Sequence, residues 1–315
     1  MQAAPTRIAI LLCTHDGARF LASQLDSLAA QTLPPAAIFI HDWGSTDTTR
    51  QMLADFAQRA HGTDGVKIPV AVTLHDGAPG AHRSFVSGMR HCLGSDLPFD
   101  HLALCDQDDE WLPDKLATYA RHMAQHPPGP DLLCSDVALV DTDGAPLAPG
   151  FYGPRSPFHP PARLDDPSLL LVNPVIGMTL CIRRDRLAEL APLLDGDWLM
   201  HDWALVLLAA ARGLTIRYVA QPLVRYRQHA ANVLGAAQGL RVRVRLMKAR
   251  AHFARLRAQM ARLQACGGMP HSRAGAALLV PGPMQRWRAA TVAARSGLLK
   301  PHMAWLLGAA ALLLW

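Results

Sequence analysis

Residues 101–113 read His101-Leu102-Ala103-Leu104-Cys105-Asp106-Gln107-Asp108-Asp109-Glu110-Trp111-Leu112-Pro113. An apolar run stops abruptly in a knot of carboxylates. Residues 101–105, with Phe99 just upstream, have the length and composition of a short buried strand. Three aspartates and a glutamate at its C-terminal end repel one another unless a positive charge sits among them. Carboxylates so placed suit a hard divalent cation, Mg2+ or Mn2+, which takes oxygen ligands and bridges substrate phosphates. In open α/β sheets the ligand crevice lies at the carboxyl edge of the strands. Taken alone, the cluster also suits a solvated acidic turn, so the flanking sequence has to decide.

Working outward, residues 7–13 (RIAILLC) are the apolar run of a central parallel strand. The run breaks at Thr14-His15-Asp16-Gly17, and residues 19–31 follow at helical spacing, with Phe20, Leu21, Leu25 and Leu28 on one face. Residues 37–40 predict a second strand, which breaks into His41-Asp42-Trp43-Gly44-Ser45-Thr46-Asp47. A helix to about residue 60 begins there, with Ser45, Thr46 or Asp47 available as its N-cap. A strand over 69–74, a helix over 83–92 and the strand over 101–105 continue the series. Strand, polar turn and helix in repetition predict an α/β fold: a Rossmann-like, mostly parallel sheet flanked by helices. Three of its strands then deliver polar, mostly acidic residues to one edge. Beyond Pro113 we expect a helix over 114–125, a strand over 131–140 and a Pro-rich loop region over 143–166. A return to the sheet over 168–182 and a helix over 185–194 follow. An apolar helix opened by Trp198-Leu199-Met200-His201-Asp202-Trp203 ends at Gly213, and a last strand covers 215–219.

Charge divides the chain more sharply than its net of +6 suggests. Residues 1–202 hold all 25 acidic residues and carry −11, whereas residues 203–315 hold no acid and carry +17. Eight basic residues within 241–262, with a broken apolar stripe of Leu240, Val244, Met247, Phe253, Leu256, Met260 and Leu263, predict a basic amphipathic helix. Residues 303–315 lack any polar side chain and end in Trp315; as a helix they reach roughly 20 Å, short of a bilayer core. We therefore expect two parts, an α/β domain over 1–235 and a membrane-associated helical region over 236–315. An anionic membrane surface is the expected partner of the basic part; no RNA- or DNA-recognition motif accompanies it, so no nucleic acid is expected. No secretory signal heads the chain, and the six scattered cysteines suit a reducing compartment. The expected location is cytoplasmic, peripheral at the inner face of the cell membrane.

The motifs in order are T-H-D-G at 14–17, F-L-x-x-Q-L-D-S-L-x-x-Q-T at 20–32 and H-D-W-G-S-T-D-T-T at 41–49. L-C-D-Q-D-D-E-W-L-P-D-K-L at 104–116, H-D-W at 201–203 and Y-R-Q-H-x-x-N at 226–232 complete the series. Over residues 7–235 this order resembles the family 2 glycosyltransferases of GT-A fold, particularly the bacterial rhamnosyltransferase branch of O-antigen and exopolysaccharide synthesis. The resemblance implies an inverting, metal-dependent transfer of L-rhamnose from dTDP-rhamnose, or another sugar from a UDP-linked donor, to a glycan or lipid-linked glycan acceptor. Asp106-Gln107-Asp108 matches the family's D-x-D element, with Asp108 making the metal contact. Asp42 and the turn Thr14-His15-Asp16 match the positions that hold base and ribose. Asp202 matches the catalytic base, and His229 is placed to reach the diphosphate or the metal. The chain departs from the family at Asp42-Trp43-Gly44-Ser45, where D-D-G-S is usual, and at Thr14-His15-Asp16-Gly17, where T-Y-N-G is usual. Trp43 is thereby a candidate stacking group in the donor site.

Plainer readings stand beside these. Asp42 suits a turn-forming or N-cap aspartate, and Asp202 suits the N-cap of the apolar helix. His229 suits an ordinary residue after a strand. Trp111 and Trp203 suit packing, and Arg225 and Arg227 pair either with a diphosphate or with upstream acids. Two other functions compete: a non-catalytic scaffold of a glycan-assembly complex, and a sugar-phosphate nucleotidyltransferase. The second needs a Gly-rich, basic loop after the first strand, and Thr14-His15-Asp16-Gly17-Ala18-Arg19 offers one glycine and an acid there.

Overall fold

The computed structural model describes residues 6–77, 80–125, 129–154, 156–161, 166–196, 198–229, 242–267, 287, 291–292, 295 and 297–314. The chain forms two compact units. One comprises Met1–Phe151, Ile176–Pro192 and Arg217–Gln228, the other Tyr152–Val175, Leu193–Ile216 and His229–Trp315. The C-terminal region expected over 236–315 thus shares its unit with two earlier segments.

The first unit is built on the predicted βαβ series. Strands β1 (Ile8–Thr14), β2 (Ala37–Trp43), β3 (Val70–His75) and β4 (His101–Cys105) pair in parallel in the order β3-β2-β1-β4. Helices α1 (Ala18–Ala29), α2 (Thr49–Arg59) and α3 (Ala81–Gly94) connect them. β1 and β4 are buried at every position, as strands covered on both faces must be. β2 runs three residues beyond the predicted end, so His41, Asp42 and Trp43 belong to the strand. β6 (Leu132–Val140) and β8 (Cys181–Arg183) extend the sheet antiparallel to one another, with β8 antiparallel to β4.

Several sequence expectations need correcting. The return to the sheet over 168–182 is confined to β8; upstream the chain makes 3-10 turns at Pro167–Leu170 and Gly177–Thr179. Pro174 and Gly177 explain the break, since neither sustains a regular ladder. The Pro-rich stretch holds a short strand, β7 (Pro146–Ala148), on β6. The helix expected over 185–194 is α5 (Arg184–Leu190) followed by a 3-10 turn at Ala191–Leu194, where Pro192 removes a helical donor. The last strand, β9, spans Ile216–Arg227 rather than 215–219. Pro222 reads as a terminator, yet proline is admitted where its missing N–H has no ladder partner. β9 pairs antiparallel with β5 (Glu110–Trp111), which the sequence reading missed.

The polar residues of the first helical motif have a structural purpose. Gln24 and Ser27 lie on the buried face of α1, beside Leu21, Leu25 and Leu28, and Gln31 is buried just past its end. Ser27 Oγ accepts from Trp111 N at 3.0 Å, and Gln31 takes Leu116 N at 3.1 Å while donating to Leu112 O at 2.9 Å. α1 therefore holds the segment that follows the acidic knot. The W-L-P-D-K-L run completes that anchorage through α4 (Lys115–Ala124). Lys115 is fully buried, donates from Nζ to Met178 O at 2.7 Å and lies 3.5 Å from the Trp111 ring centroid. Burial pushes its ammonium down to about 7.

The second unit carries α6 (His201–Ala211), α7 (Val242–Ala265) and α8 (Pro301–Leu314). α7 packs against both other helices. Its Leu256, Gln259, Met260 and Leu263 are buried, and Gln259 Oε1 accepts from Leu199 N at 3.0 Å. Each of its buried apolar side chains contributes roughly 2 kcal/mol. This part of the predicted amphipathic stripe is consumed inside the unit; Leu240, Val244, Met247 and Phe253 fall outside the described side chains. Among the described residues no helix is long and apolar enough to cross a membrane. Trp305 and Leu306 of α8 are exposed. Cys13, Cys92, Cys105, Cys134 and Cys181 are free and buried.

Candidate active site

Because β1, β2 and β4 run in parallel, their carboxyl ends meet at one edge, with Thr14 opposite Asp42 and Leu12 opposite Cys105. Thr14 Oγ1 donates to Asp42 Oδ1 at 3.0 Å. Asp42 is completely buried, and it also accepts from Ser45 Oγ, from Ser45 N at 3.3 Å and from Arg50 Nε at 2.8 Å. Burial alone raises such a carboxyl; the bonds from Ser45, Arg50 and Thr14 outweigh it and hold Asp42 below the usual range. Its acceptors are engaged within the protein, so Asp42 organises the edge from beneath.

The turns after β1 and β2 are tied by main-chain donors. α1 has no cap of its own. Its first free N–H groups are taken by the neighbouring turn: Gly17 N by Thr49 Oγ1 at 2.9 Å and Ala18 N by Asp47 Oδ2 at 3.1 Å. Asp16 N donates to Ser45 Oγ at 2.9 Å, and Asp16 Oδ1 accepts from Thr46 N at 2.7 Å. Asp16 has φ of 45°, a conformation aspartate tolerates better than most residues. The acidic knot joins through Gln107. His15 N donates to Gln107 Oε1 at 2.8 Å, and Gln107 Nε2 donates to His15 O at 3.0 Å. A Cβ on Gly17 would stand 2.3 Å from that Oε1, so glycine is required there for the clasp. Thr14, His15, Asp16, Asp42, Trp43 and Gln107 are thus brought together, and Gln107 sits on the loop that carries Asp106 and Asp108.

Sequence reasoning missed a ring stack on the other face of β2. Trp43 stacks on His75 at 3.8 Å between centroids, His75 stacks on His41 at 5.0 Å, and His91 meets His41 edge-on at 4.9 Å. Parallel pairing of Trp43 with His75 produces it, a register invisible in either strand alone. The His15 ring nitrogen Nδ1 lies 2.6 Å from Trp43 O. His41 in this stack is held down at about 4, first by burial and then by His91 and His75; His101 in β4 is held down at about 4 chiefly by burial. Both stay neutral in the fold while an unfolded chain protonates them near 6.5. Stability is therefore lost as pH falls through the window from 6.5 to about 4, by about 3 kcal/mol per histidine. Asp109, raised in the fold, works in the opposite sense and reduces the slope. Melting temperature should fall between pH 7 and pH 5, with His41 and His101 still neutral at pH 5.5 by imidazole nitrogen shifts. Normal titration of both rings would contradict this.

Asp106 and Asp108 are half-buried, whereas Asp109 is buried and turned inward. Burial, then the charges of Asp108 and Asp106, drive the Asp109 carboxyl well up. Burial and the same carboxylates also push Tyr226 up, so a concentrated negative field surrounds the loop. Among the described residues no three His, Cys, Asp or Glu side chains gather to hold a metal unaided. The donor set still fits Mg2+ or Mn2+ of the kind held by one or two carboxylates plus substrate phosphates.

Asp202 and His229 belong to the second unit. Asp202 is buried in the first turn of α6, its Oδ1 accepting from Trp203 N at 2.7 Å. The N-cap is Met200, so the capping reading of Asp202 does not hold. The positive end of α6 favours a carboxylate at this position. His229 is half-buried beyond β9. Trp111 and Trp203 are packing residues; Trp203 Nε1 donates to Leu169 O at 2.7 Å.

Known proteins share this architecture. The family model for glycosyl transferase family 2 matches residues 9–185, more than half of the chain. No curated protein matches. Among solved structures, S. aureus TarS in complex with UDP-GlcNAc covers 92% of this chain and 81% of its own at 14% identity, with a TM-score of 0.55. The mannosyltransferase PcManGT from Pyrobaculum calidifontis, in complex with GDP-Man and Mn2+, covers 100% of this chain and 84% of its own at 18% identity, with a TM-score of 0.53. At such identities the likeness speaks for the fold. The parallel sheet, its acidic carboxyl edge and the family match lead to one conclusion: the chain belongs to glycosyl transferase family 2 and is a glycosyltransferase of GT-A fold.

Proposed function

We propose that this glycosyltransferase is metal-dependent and inverting, and moves L-rhamnose from dTDP-rhamnose to a lipid-linked surface glycan. The observation that carries the donor site is the Asp106-Gln107-Asp108 turn, clasped through Gln107 to the His15 backbone at the carboxyl edge of the parallel sheet. That solved relatives of this fold hold UDP-GlcNAc, UDP, or GDP-Man with Mn2+ supports a nucleotide-sugar donor.

Thr14, His15, Asp16, Trp43 and Gln107 wall the nucleoside, and Asp42 fixes their turns from below. Asp106 and Asp108, assisted by His229, would hold Mg2+ or Mn2+. When bound, the metal offsets charge on the departing diphosphate. Asp202 takes the proton of the acceptor hydroxyl. The acceptor oxygen then bonds to the anomeric carbon as the bond to the diphosphate oxygen breaks on the opposite face, which inverts the configuration. No acid is needed for the leaving group, so one carboxylate serves where glycosidases use two.

The basic, acid-free segment over 203–315 supports work at an anionic membrane face, where each basic residue near the surface is worth roughly 1 kcal/mol. Exposed Trp305 and Leu306 suit the interface. The full-length chain should sediment with anionic liposomes at low salt; failure to do so would remove the membrane from this reading.

Calorimetry with dTDP, UDP, GDP and their sugar conjugates, with and without Mn2+, tests the donor. Metal-dependent binding selective for dTDP is expected. Selectivity for UDP or GDP would discard rhamnose, and no nucleotide binding under any metal condition would leave the scaffold reading.

A further inference from the structure

Arg227 closes β9 and is buried, although arginine seldom is. Sequence reading left it between a diphosphate ligand and a partner for upstream acids. Its donors point into the protein. Its main-chain N–H donates to Asp109 Oδ1 at 3.0 Å, Nε to Asp108 O at 3.1 Å and an Nη to Thr142 O at 3.0 Å. The guanidinium carbon lies 5.0 Å from the Phe20 ring centroid on α1.

Residues 108–109 and residue 227 thus grip each other reciprocally. The Asp109 side chain takes the Arg227 backbone while the Arg227 side chain takes the Asp108 backbone. The β5–β9 ladder continues the grip, with Glu110 opposite Arg225, Trp111 opposite Val224 and Leu112 N donating to Leu223 O at 3.0 Å. On the other side of Asp108, Gln107 is clasped to His15. The Asp108 peptide is therefore fixed from both directions.

We propose that Arg227 and Asp109 form a latch that positions the metal-holding carboxylates, making Arg227 a positioning residue of the donor site and not a diphosphate ligand. The latch rests on the assignment of metal to Asp106 and Asp108 made above. Its chemistry needs a planar donor that reaches two carbonyls at once, which lysine does not supply. Asp109 needs only an acceptor oxygen for the Arg227 N–H, which asparagine keeps.

The test is calorimetric binding of dTDP, UDP and GDP to the full chain across a Mn2+ titration, with melting temperature measured in parallel. Arg227→Lys should raise the Mn2+ concentration at half-effect by about 10- to 100-fold, the cost typical of losing an outer partner of a metal ligand. Metal-free nucleotide binding should change less than about twofold, because the Thr14–Asp16 turn is untouched. Asp109→Ala should shift the midpoint in the same direction, and Asp109→Asn should restore most of it. If Arg227→Lys does not fold, the Asp109 pair decides. A lowered melting temperature with an unchanged Mn2+ midpoint in Arg227→Lys and Asp109→Ala would overturn the latch alone. A wild-type chain that binds nucleotide without any metal dependence would overturn the metal assignment, and the latch with it.

Discussion

Asp108→Ala should abolish metal-dependent nucleotide binding while leaving the protein folded. The carboxylate is half-buried on a loop whose backbone is held by Arg227, so the loop should keep its course without it. Removal should even relieve Asp109, whose carboxyl is driven up partly by the Asp108 charge. Binding carries the whole cost. Among the described residues no three His, Cys, Asp or Glu side chains gather to hold a metal unaided. Of the three side chains assigned to the cation, two are carboxylates, and this variant removes one of them. We expect Mn2+-enhanced binding of the cognate nucleoside diphosphate to weaken roughly 100-fold or more, about 2.7 kcal/mol. Turnover should fall by about 10^3, because the diphosphate charge that develops in the transition state goes unopposed. Metal-free nucleotide binding should persist, since the Thr14–Asp16 turn and Trp43 keep their partners. A variant with the wild-type Mn2+ midpoint would show that the acidic knot is the solvated turn its composition also allows.

Much of this edge was legible before any coordinates. β1 and β4 are buried at every position, so composition alone marks them, and the turns after them carry the chemistry that ends a strand. What escaped depends on partners distant in the chain. Ser27 and Gln31 look like incidental polar residues on an amphipathic helix until Trp111, Leu112 and Leu116 are seen to use them. β5 is two residues long and exists only because β9 pairs with it. Arg50 reaches back from α2 to Asp42 and to His75 O, a contact no spacing rule announces. Asp42 itself reads as an exposed ligand because aspartate usually is exposed; only the Thr14, Ser45 and Arg50 donors around it show why it is buried. Periodicity, in short, finds elements, whereas the hydrogen bonds that tie their ends together are properties of the closed chain.

The Asp202→Asn variant should retain nucleotide binding and lose about 10^3- to 10^4-fold in kcat, within the range of one positioned base with a contribution from its charge. Asparagine is isosteric and keeps the Oδ1 acceptor for Trp203 N, so α6 should begin as before. What is lost is the capacity to take a proton and the negative charge. The donor turns belong to the first unit and Asp202 to the second, so binding and chemistry should separate in this variant. Asp202→Ala should be less informative: it also removes the acceptor for Trp203 N inside a buried first turn, and stability falls with activity. The acidic limb of the kcat–pH profile should disappear in Asp202→Asn, a change that a structural role for the carboxylate would not produce. Turnover within about threefold of wild type would remove Asp202 from the chemistry. The acceptor hydroxyl would then need another base, and the search would begin at His229, the histidine of the expected set that lies in the same unit as Asp202.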